Sequence, residues 1–465
     1  MHFNLTSNYK NISELCDIIR LFHPSAVFSE QGERLELFYS VENGNVKTII
    51  EYRGGQFLGE FPLFSEADKY IKRALKNALY DFFSHLTGEK KEWGSLTGIR
   101  PTALAYELLA RGVKLEKIPA ELIKEFRLSE AKAALVAEIV AAQREYYIKD
   151  SPLINLYINI PVCPSRCSYC SFISHEYSRC GAKLLSEYLE YLKKEVVFAR
   201  ELAVKLGKRF RAVYIGGGTP GILSAEQIRF LGEILPEVSE VTFEIGRPDT
   251  VTEAKLDALK DIGATRICIN PQTLNDNTLK LIGRNHTAVQ FFEAFELARK
   301  YSFDINTDLI AGLPNENAGT LIDSVSGVAA LSPENITVHT LALKAGSRIK
   351  EDSGLDSVLY TYDFSAAPVY ETLKSAGYIP YYLYRQKYML NGLENIGYAK
   401  PNKQCLYNID TMEETLGVLA CGAGAISKAV FSGGRIERAA NFKNIGEYIG
   451  RFNEVLDRKR KLMEK

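Results

Sequence analysis

Apolar and polar positions change period several times along the chain, and each change marks an element. The segment LELFYSVENGNVKTIIEYR alternates on either side of an Asn-Gly pair and predicts two strands joined by a tight turn. Downstream, ADKYIKRALKNALYDFFSHL and SEAKAALVAEIVAAQREYY carry apolar residues at helical spacing, with LTGIRPT between them as a Gly/Pro break. These segments predict an α+β accessory domain over residues 1–150. Its end is expected near Lys149 to Pro152, where KDSP closes the helix ahead of an apolar strand.

From Leu153 onward, short apolar runs alternate with amphipathic segments of helix length. LINLYINI, RAVYIGG, EVTFEIG, TRICIN, FDINTDLI and NITVHTLA are six such runs, and the pattern is that of βα units building a parallel sheet. Six units fall short of the usual eight, so the expected fold is α/β, with a partial (β/α)6 barrel over 151–360. Its site belongs at the C-terminal strand ends. A C-terminal region, 361–465, then opens with a helix near Thr361 to Ser375. It passes through a Tyr-rich β and loop stretch and ends in a GAGAIS turn and a last helix.

Composition adds exclusions. Basic and acidic residues balance at 57 each, and the first 150 residues are also close to neutral, which argues against a nucleic-acid or anionic-membrane partner. No run of about 18 apolar residues and no signal-peptide pattern is present, so the expected compartment is the cytoplasm, with no membrane span. There the eight cysteines are expected to stay reduced. Cys16, Cys180, Cys268, Cys405 and Cys421 are scattered, whereas Cys163, Cys167 and Cys170 form a CxxxCxxC run directly after the first barrel strand.

Three thiolates on a four-iron cluster leave one iron open, and S-adenosylmethionine (SAM) bound there is the basis of radical SAM chemistry. The competing readings are buried thiols that happen to be adjacent, or a zinc site completed by Cys180 and His175. Position favours the cluster. Gly216-Gly217-Gly218-Thr219-Pro220 follows the second strand, and residues without a Cβ let backbone approach a ligand closely.

The motifs YINIPVCPSRCSYC, YIGGGTP, FEIGRPDT, INPQTL, IGRNHT and NTDLIAGLP occur in the order seen in coproporphyrinogen-oxidase-like radical SAM proteins. LTGIRPT, TVHTLALK, YYLYRQKYMLNGLENIGYA and GAGAISK further resemble the branch called coproporphyrinogen dehydrogenase, HemZ type. The resemblance implies a [4Fe-4S] cluster on Cys163, Cys167 and Cys170, with Tyr169 near the adenine of SAM. It places Gly217, Gly218 and Thr219 at the methionine amino end and Glu244 in the cofactor site. Gln272, Arg284 and Asp308 match further SAM contacts, Arg284 toward the carboxylate and Asp308 toward the ribose, and Tyr157 lies toward the sulfonium. Gly422, Gly424 and Ala425 match a turn near a second ligand region. The implied activity is oxidoreduction of a tetrapyrrole, with flavodoxin or ferredoxin as electron donor.

Two positions depart from coproporphyrinogen oxidases of this kind: Phe172 replaces a further cysteine, and Asn159 replaces a histidine. They leave open a haem-trafficking protein that does not perform the oxidation, and a radical SAM enzyme acting on RNA is a third reading. Tyr381, Tyr382, Tyr384, Arg385, Lys387 and Tyr388 are candidates for a tetrapyrrole wall or, equally, for a strand with one buried aromatic face. His339 is a candidate for substrate chemistry or for the core. His286 with Thr287 is expected to fix the loop that carries Arg284.

Overall fold

The computed structural model describes residues 1–98, 100–171, 175–342, 366–386 and 393–465. Phe172, Lys387, Tyr388 and the start of the helix expected from Thr361 lie outside them. The chain divides into two compact units, Met1–Ala141 and Ala142–Lys465.

The first unit is built on a five-stranded sheet of order β2-β1-β3-β4-β5, from β1 (His2–Ser7), β2 (Val27–Phe28), β3 (Glu33–Glu42), β4 (Asn45–Tyr52) and β5 (Gly55–Pro62). β3, β4 and β5 run antiparallel. Their two-residue turns are Asn43-Gly44 and Arg53-Gly54, all four residues at positive φ, the mirror-image turn that matches strand twist. Alternation sends Leu35, Leu37, Val46 and Ile50 to one face. There they form a single core with α1 (Ile12–Phe22) and α2 (Asp68–Thr87). Where the sequence reading has only a Gly/Pro break, the chain forms α3 (Pro101–Ala110) and α4 (Ile118–Phe126) before α5 (Glu130–Gln143). Both begin with proline in the first turn, where its missing N–H costs nothing.

The second unit holds an 11-stranded sheet. Its centre is six parallel strands in chain order: β6 (Leu153–Ile160), β9 (Arg209–Gly217), β10 (Glu240–Gly246), β11 (Arg266–Ile269), β12 (Asp304–Ala311) and β13 (Asn335–Thr340). Short β7 (Val162–Cys163) and β8 (His175–Glu176) pair separately. The crossover helices are α6 (Tyr177–Lys205), α7 (Ala225–Gly232), α8 (Glu253–Asp261), α9 (Asp276–Leu281), α10 (Ala288–Arg299) and α11 (Ala318–Ala330). Thr287 caps α10 and shares a capping box with Gln290. The result is an α/β unit of six parallel strands with their crossover helices.

The C-terminal segments extend this sheet at both sides. After α12 (Ala367–Ser375), β14 (Ile379–Tyr384) and β15 (Asn395–Ala399) continue it antiparallel beyond β13. At the other side β16 (Gly417–Cys421) lies parallel to β6, followed by β17 (Ile426–Val430) and β18 (Ile436–Ala440). α13 (Leu406–Glu413) is fixed at the N-terminal strand ends: Glu240 accepts from the backbone N–H groups of Leu406 and Tyr407, and Arg211 reaches Asp410 at 2.8 Å. The chain ends in α14 (Ile445–Gly450) and α15 (Phe452–Met463).

Candidate cofactor site

The three clustered thiols lie in the loop that leaves β6 through β7, all half-buried and none in a disulfide. Three tethers hold this loop. Ser168 N–H donates to Ile282 O at 3.0 Å, Ser165 Oγ lies 3.4 Å from Gly283 O, and Arg247 Nη1 donates to Ser165 Oγ at 2.9 Å. Arg247 is fully buried and held by Asp249, at 3.1 and 3.2 Å, so the loop rests on a fixed cation directly after β10.

The glycine run after β9 forms the floor beneath it. Gly218 and Thr219 donate backbone N–H bonds to Ile160 O and Val162 O, and Thr219 Oγ1 lies 3.4 Å from Cys163 Sγ. A Cβ on Gly218 would sit 3.0 Å from that sulfur and 2.7 Å from Val162 O. One on Gly217, whose φ is +117°, would sit 2.0 Å from Asn159 Oδ1, and one on Gly216 would sit 2.8 Å from Glu244 Oε2. Three successive glycines are therefore required by three separate close approaches.

Glu244, near the end of β10, accepts a 2.5 Å hydrogen bond from Tyr214 OH. Desolvation raises its carboxyl to about 7, opposed by the Tyr214 bond and reinforced by Asp308. Tyr214 stacks on Tyr407 of α13 at 4.5 Å between centroids, and Tyr157 of β6 lies 6.2 Å from both rings. Asp308 accepts from Asn306 Nδ2 at 2.9 Å and lies 3.8 Å from His339 Nε2, while His339 Nδ1 is 3.4 Å from Tyr384 OH. His339 is thus part of a polar relay with Asp308. Tyr169 sits against the apolar cluster of Leu279, Ile282, Ile310, Leu313 and Leu341.

Gln272 and Arg284 are buried on the adjoining loops. Gln272 has φ of +71°, rare for a residue with a side chain, and its backbone bonds both ways with β12, to Asp308 O and from Ile310 N, at 2.9 Å each. Arg284 Nη2 donates to Asn270 O at 2.7 Å. Gln272 Oε1 and Arg284 Nε are buried without any hydrogen-bond partner. Buried polar atoms are nearly always satisfied, so these two, with Asn270 Oδ1 and the His286 ring nitrogens on the same two loops, leave hydrogen-bonding capacity that a polar ligand can meet.

Among the described residues, no three His, Cys, Asp or Glu side chains converge on a single ion. A four-iron cluster makes no such demand, since each thiolate binds a separate iron. The donor set suits a cluster with SAM: three thiols on one loop, a floor with no room for a Cβ, and orphaned polar atoms of both signs nearby.

Asn159 was read from sequence only as a departure. In the fold its Nδ2 donates to Ala423 O at 2.5 Å and its Oδ1 accepts from Tyr157 OH at 3.3 Å, while Tyr188 OH reaches its carbonyl at 2.6 Å. It thereby joins β6 to the turn of Gly422, Gly424 and Ala425. Tyr381 and Tyr382 are core residues, T-shaped to each other at 4.8 Å, with Tyr382 OH at 3.1 Å from Thr337 Oγ1, and they form no open wall. Tyr214, Tyr407 and Arg247 were not singled out from the sequence. A strand or helix tyrosine has no local signature that distinguishes a site lining from a core.

The radical SAM superfamily model matches residues 157–326. The chain is 37% identical over 447 residues to the oxygen-independent coproporphyrinogen-III oxidase-like protein HemZ of Bacillus subtilis, covering 91% of this chain and 87% of that one. It is 28% identical to the heme chaperone HemW of Haemophilus influenzae, over 64% of this chain and 76% of that one. Among solved structures, coproporphyrinogen III oxidase HemN of Escherichia coli, a radical SAM enzyme, aligns at 21% identity and a TM-score of 0.47, covering 70% of this chain and 73% of that one. The chain belongs to the family of oxygen-independent coproporphyrinogen-III oxidase-like HemZ proteins within the radical SAM superfamily, whose cofactors are a [4Fe-4S] cluster and S-adenosylmethionine.

Proposed function

We propose that Cys163, Cys167 and Cys170 hold the cluster and that the chain directs a SAM-derived radical at a propionate-bearing porphyrinogen. The observation that carries this reading is the thiol loop seated on the Gly216–Gly218 floor beside two orphaned buried polar atoms, Gln272 Oε1 and Arg284 Nε. When bound, the cluster and SAM supply a 5′-deoxyadenosyl radical by one-electron cleavage of the sulfonium. Arg284 Nε pairs with the methionine carboxylate, and Gln272 Oε1 accepts from a donor of the ligand. Gly217, Gly218 and Thr219 offer their edge to its amino end, and Tyr169 packs on the adenine. Asp308 and Glu244 orient ribose or amino groups, and Tyr157 lines the sulfonium side. Removing one hydrogen atom from a propionate, with loss of carbon dioxide and of one electron to an acceptor, leaves a vinyl group. The first electron comes from a flavodoxin or ferredoxin, and a reducing compartment such as the cytoplasm suits thiols that stay free.

The substrate rests on the name of the HemZ relative. A haem-handling role without that oxidation is the second reading, favoured by the similarity to HemW and by Asn159, whose amide donates to Ala423 O and accepts from Tyr157 OH. The test follows 5′-deoxyadenosine by mass spectrometry on anaerobically reconstituted protein, with dithionite and SAM, with and without coproporphyrinogen III. Cluster-dependent cleavage that rises with coproporphyrinogen, yields vinyl products and is lost in Cys167→Ala supports the proposal. Cleavage indifferent to that substrate removes the substrate assignment, and none in fully clustered protein favours the haem-handling reading.

A further inference from the structure

The outer face of the first unit's sheet carries an apolar stripe that no described residue of that unit covers. Phe38 of β3 pairs with Ile49 of β4, which pairs with Leu58 of β5. These three are 39%, 39% and 67% exposed, the last on the edge strand itself. Polar residues flank the stripe on the same face: Glu36, Glu51 and Gln56 on one side, Ser40, Lys47 and Glu60 on the other. A stripe that runs to an open sheet edge ends where another strand can add.

We propose that two copies of this chain pair through β5 in antiparallel register centred on Leu58. Hydrogen-bond parity is the first reason. The two-residue Arg53-Gly54 turn makes Tyr52 and Gly55 the closing hydrogen-bonded pair, so alternation turns Gly55, Phe57, Gly59 and Phe61 toward β4. Gln56, Leu58 and Glu60 turn their N–H and C=O groups outward. In the centred register these three meet Glu60, Leu58 and Gln56 of the second copy, each as a hydrogen-bonded pair. Pro62, which has no N–H to give, falls just beyond them.

Side-chain complementarity is the second reason. On the outer face the register sets Gln56 opposite Glu60, an amide donor against a carboxylate, twice by symmetry, and opposes no like charges. On the inner face it sets Phe57 opposite Gly59 and Phe61 opposite Gly55, so a glycine faces each ring and no two bulky side chains oppose each other across the seam. The stripe doubles into a continuous six-residue band with Leu58 meeting Leu58 at the two-fold axis. Such an isologous pairing closes on itself and leaves no growing end.

The test is sedimentation equilibrium of the anaerobically reconstituted full chain from about 0.1 to 100 µM, with circular dichroism melts to verify folding. The parent is expected to dimerise. Leu58→Glu, at an exposed position where the fold is indifferent, is expected to be monomeric throughout. The register has its own signs: Gln56→Lys, facing Glu60, tightens the dimer roughly 3- to 10-fold, and Gln56→Glu loosens it by a similar factor. A parent that stays monomeric at 100 µM overturns the proposal, as does a dimer that survives Leu58→Glu. Equal dimer affinity for Gln56→Lys and Gln56→Glu overturns the register.

Discussion

At Gly217 two demands coincide, a φ of +117° and a Cβ position 2.0 Å from Asn159 Oδ1. Alanine there must strain the backbone and push Asn159 off Ala423, so Gly217→Ala is expected to lose about 2–4 kcal/mol of stability and most of the bound iron. Gly44→Ala, at φ +76° with open space around the new methyl, is the control and should lose only about 1 kcal/mol. Urea titration with parallel iron analysis separates the two. Glu244 supplies a pH signature. Its carboxyl sits at about 7 in the fold against an ordinary 4.5, so folding favours the protonated form. That contribution is fully present below about pH 4.5 and is lost as pH rises through 7, about 3 kcal/mol at most. Glu244→Gln still accepts from Tyr214 and cannot ionise. Without cofactors it should therefore match the parent near pH 4.5 and exceed it by up to that amount at pH 8 in urea titrations. A stability difference that does not change with pH would mean that Glu244 is ionised in the fold.

Elements with a clear period were legible in the sequence, and those made by distant pairing were not. LINLYINI and EVTFEIG are β6 and β10 to the residue, because Leu, Ile, Val, Phe and Tyr recur at short spacing in both, a strand-length pattern set between helix-length amphipathic segments. The Asn-Gly hairpin was equally plain, yet β5 beyond it was missed, since QFLGEF lies next to an Arg-Gly turn that carries no strong signal. β16 shows a further limit. Nothing local in GVLAC says that it lies beside β6, more than 250 residues earlier in the chain. At the site, the thiol loop and glycine floor were legible because their chemistry dictates residue type. Arg247 and the Tyr157–Tyr214–Tyr407 stack were not, because their roles exist only once strands are adjacent. The junction of α15 with α6 is another example of hidden pairing. Lys459 Nζ lies 3.0 Å from Glu195 with both side chains fully buried, and Glu195 also accepts from Gly422 N–H, Asn441 and Tyr448. Lys459→Met strands a buried carboxylate and is expected to cost about 3–5 kcal/mol, part of it recovered in Lys459→Met/Glu195→Gln. Paired urea titrations give that coupling directly.

Over the whole molecule, the chemistry and the first unit's core are separate. The residues from Phe3 to Phe83 that form the first core belong to Met1–Ala141, while every thiol of the CxxxCxxC loop and every candidate SAM contact belongs to Ala142–Lys465. No helix among the described residues is long and apolar enough to cross a membrane. Two cores predict two unfolding transitions. A ligand that binds only the native form stabilises by RT ln(1 + [L]/Kd), about 2.7 kcal/mol at a hundredfold excess over Kd, and it acts on the transition that contains its site. Anaerobic scanning calorimetry with the cluster reconstituted should therefore show one transition rising by a few degrees on addition of SAM while the other stays fixed. In Cys167→Ala, which lacks the cluster, SAM should move neither. If SAM raises both transitions equally in the parent, the two units unfold as one cooperative body and the assignment of cofactor binding to the second unit alone has to be given up.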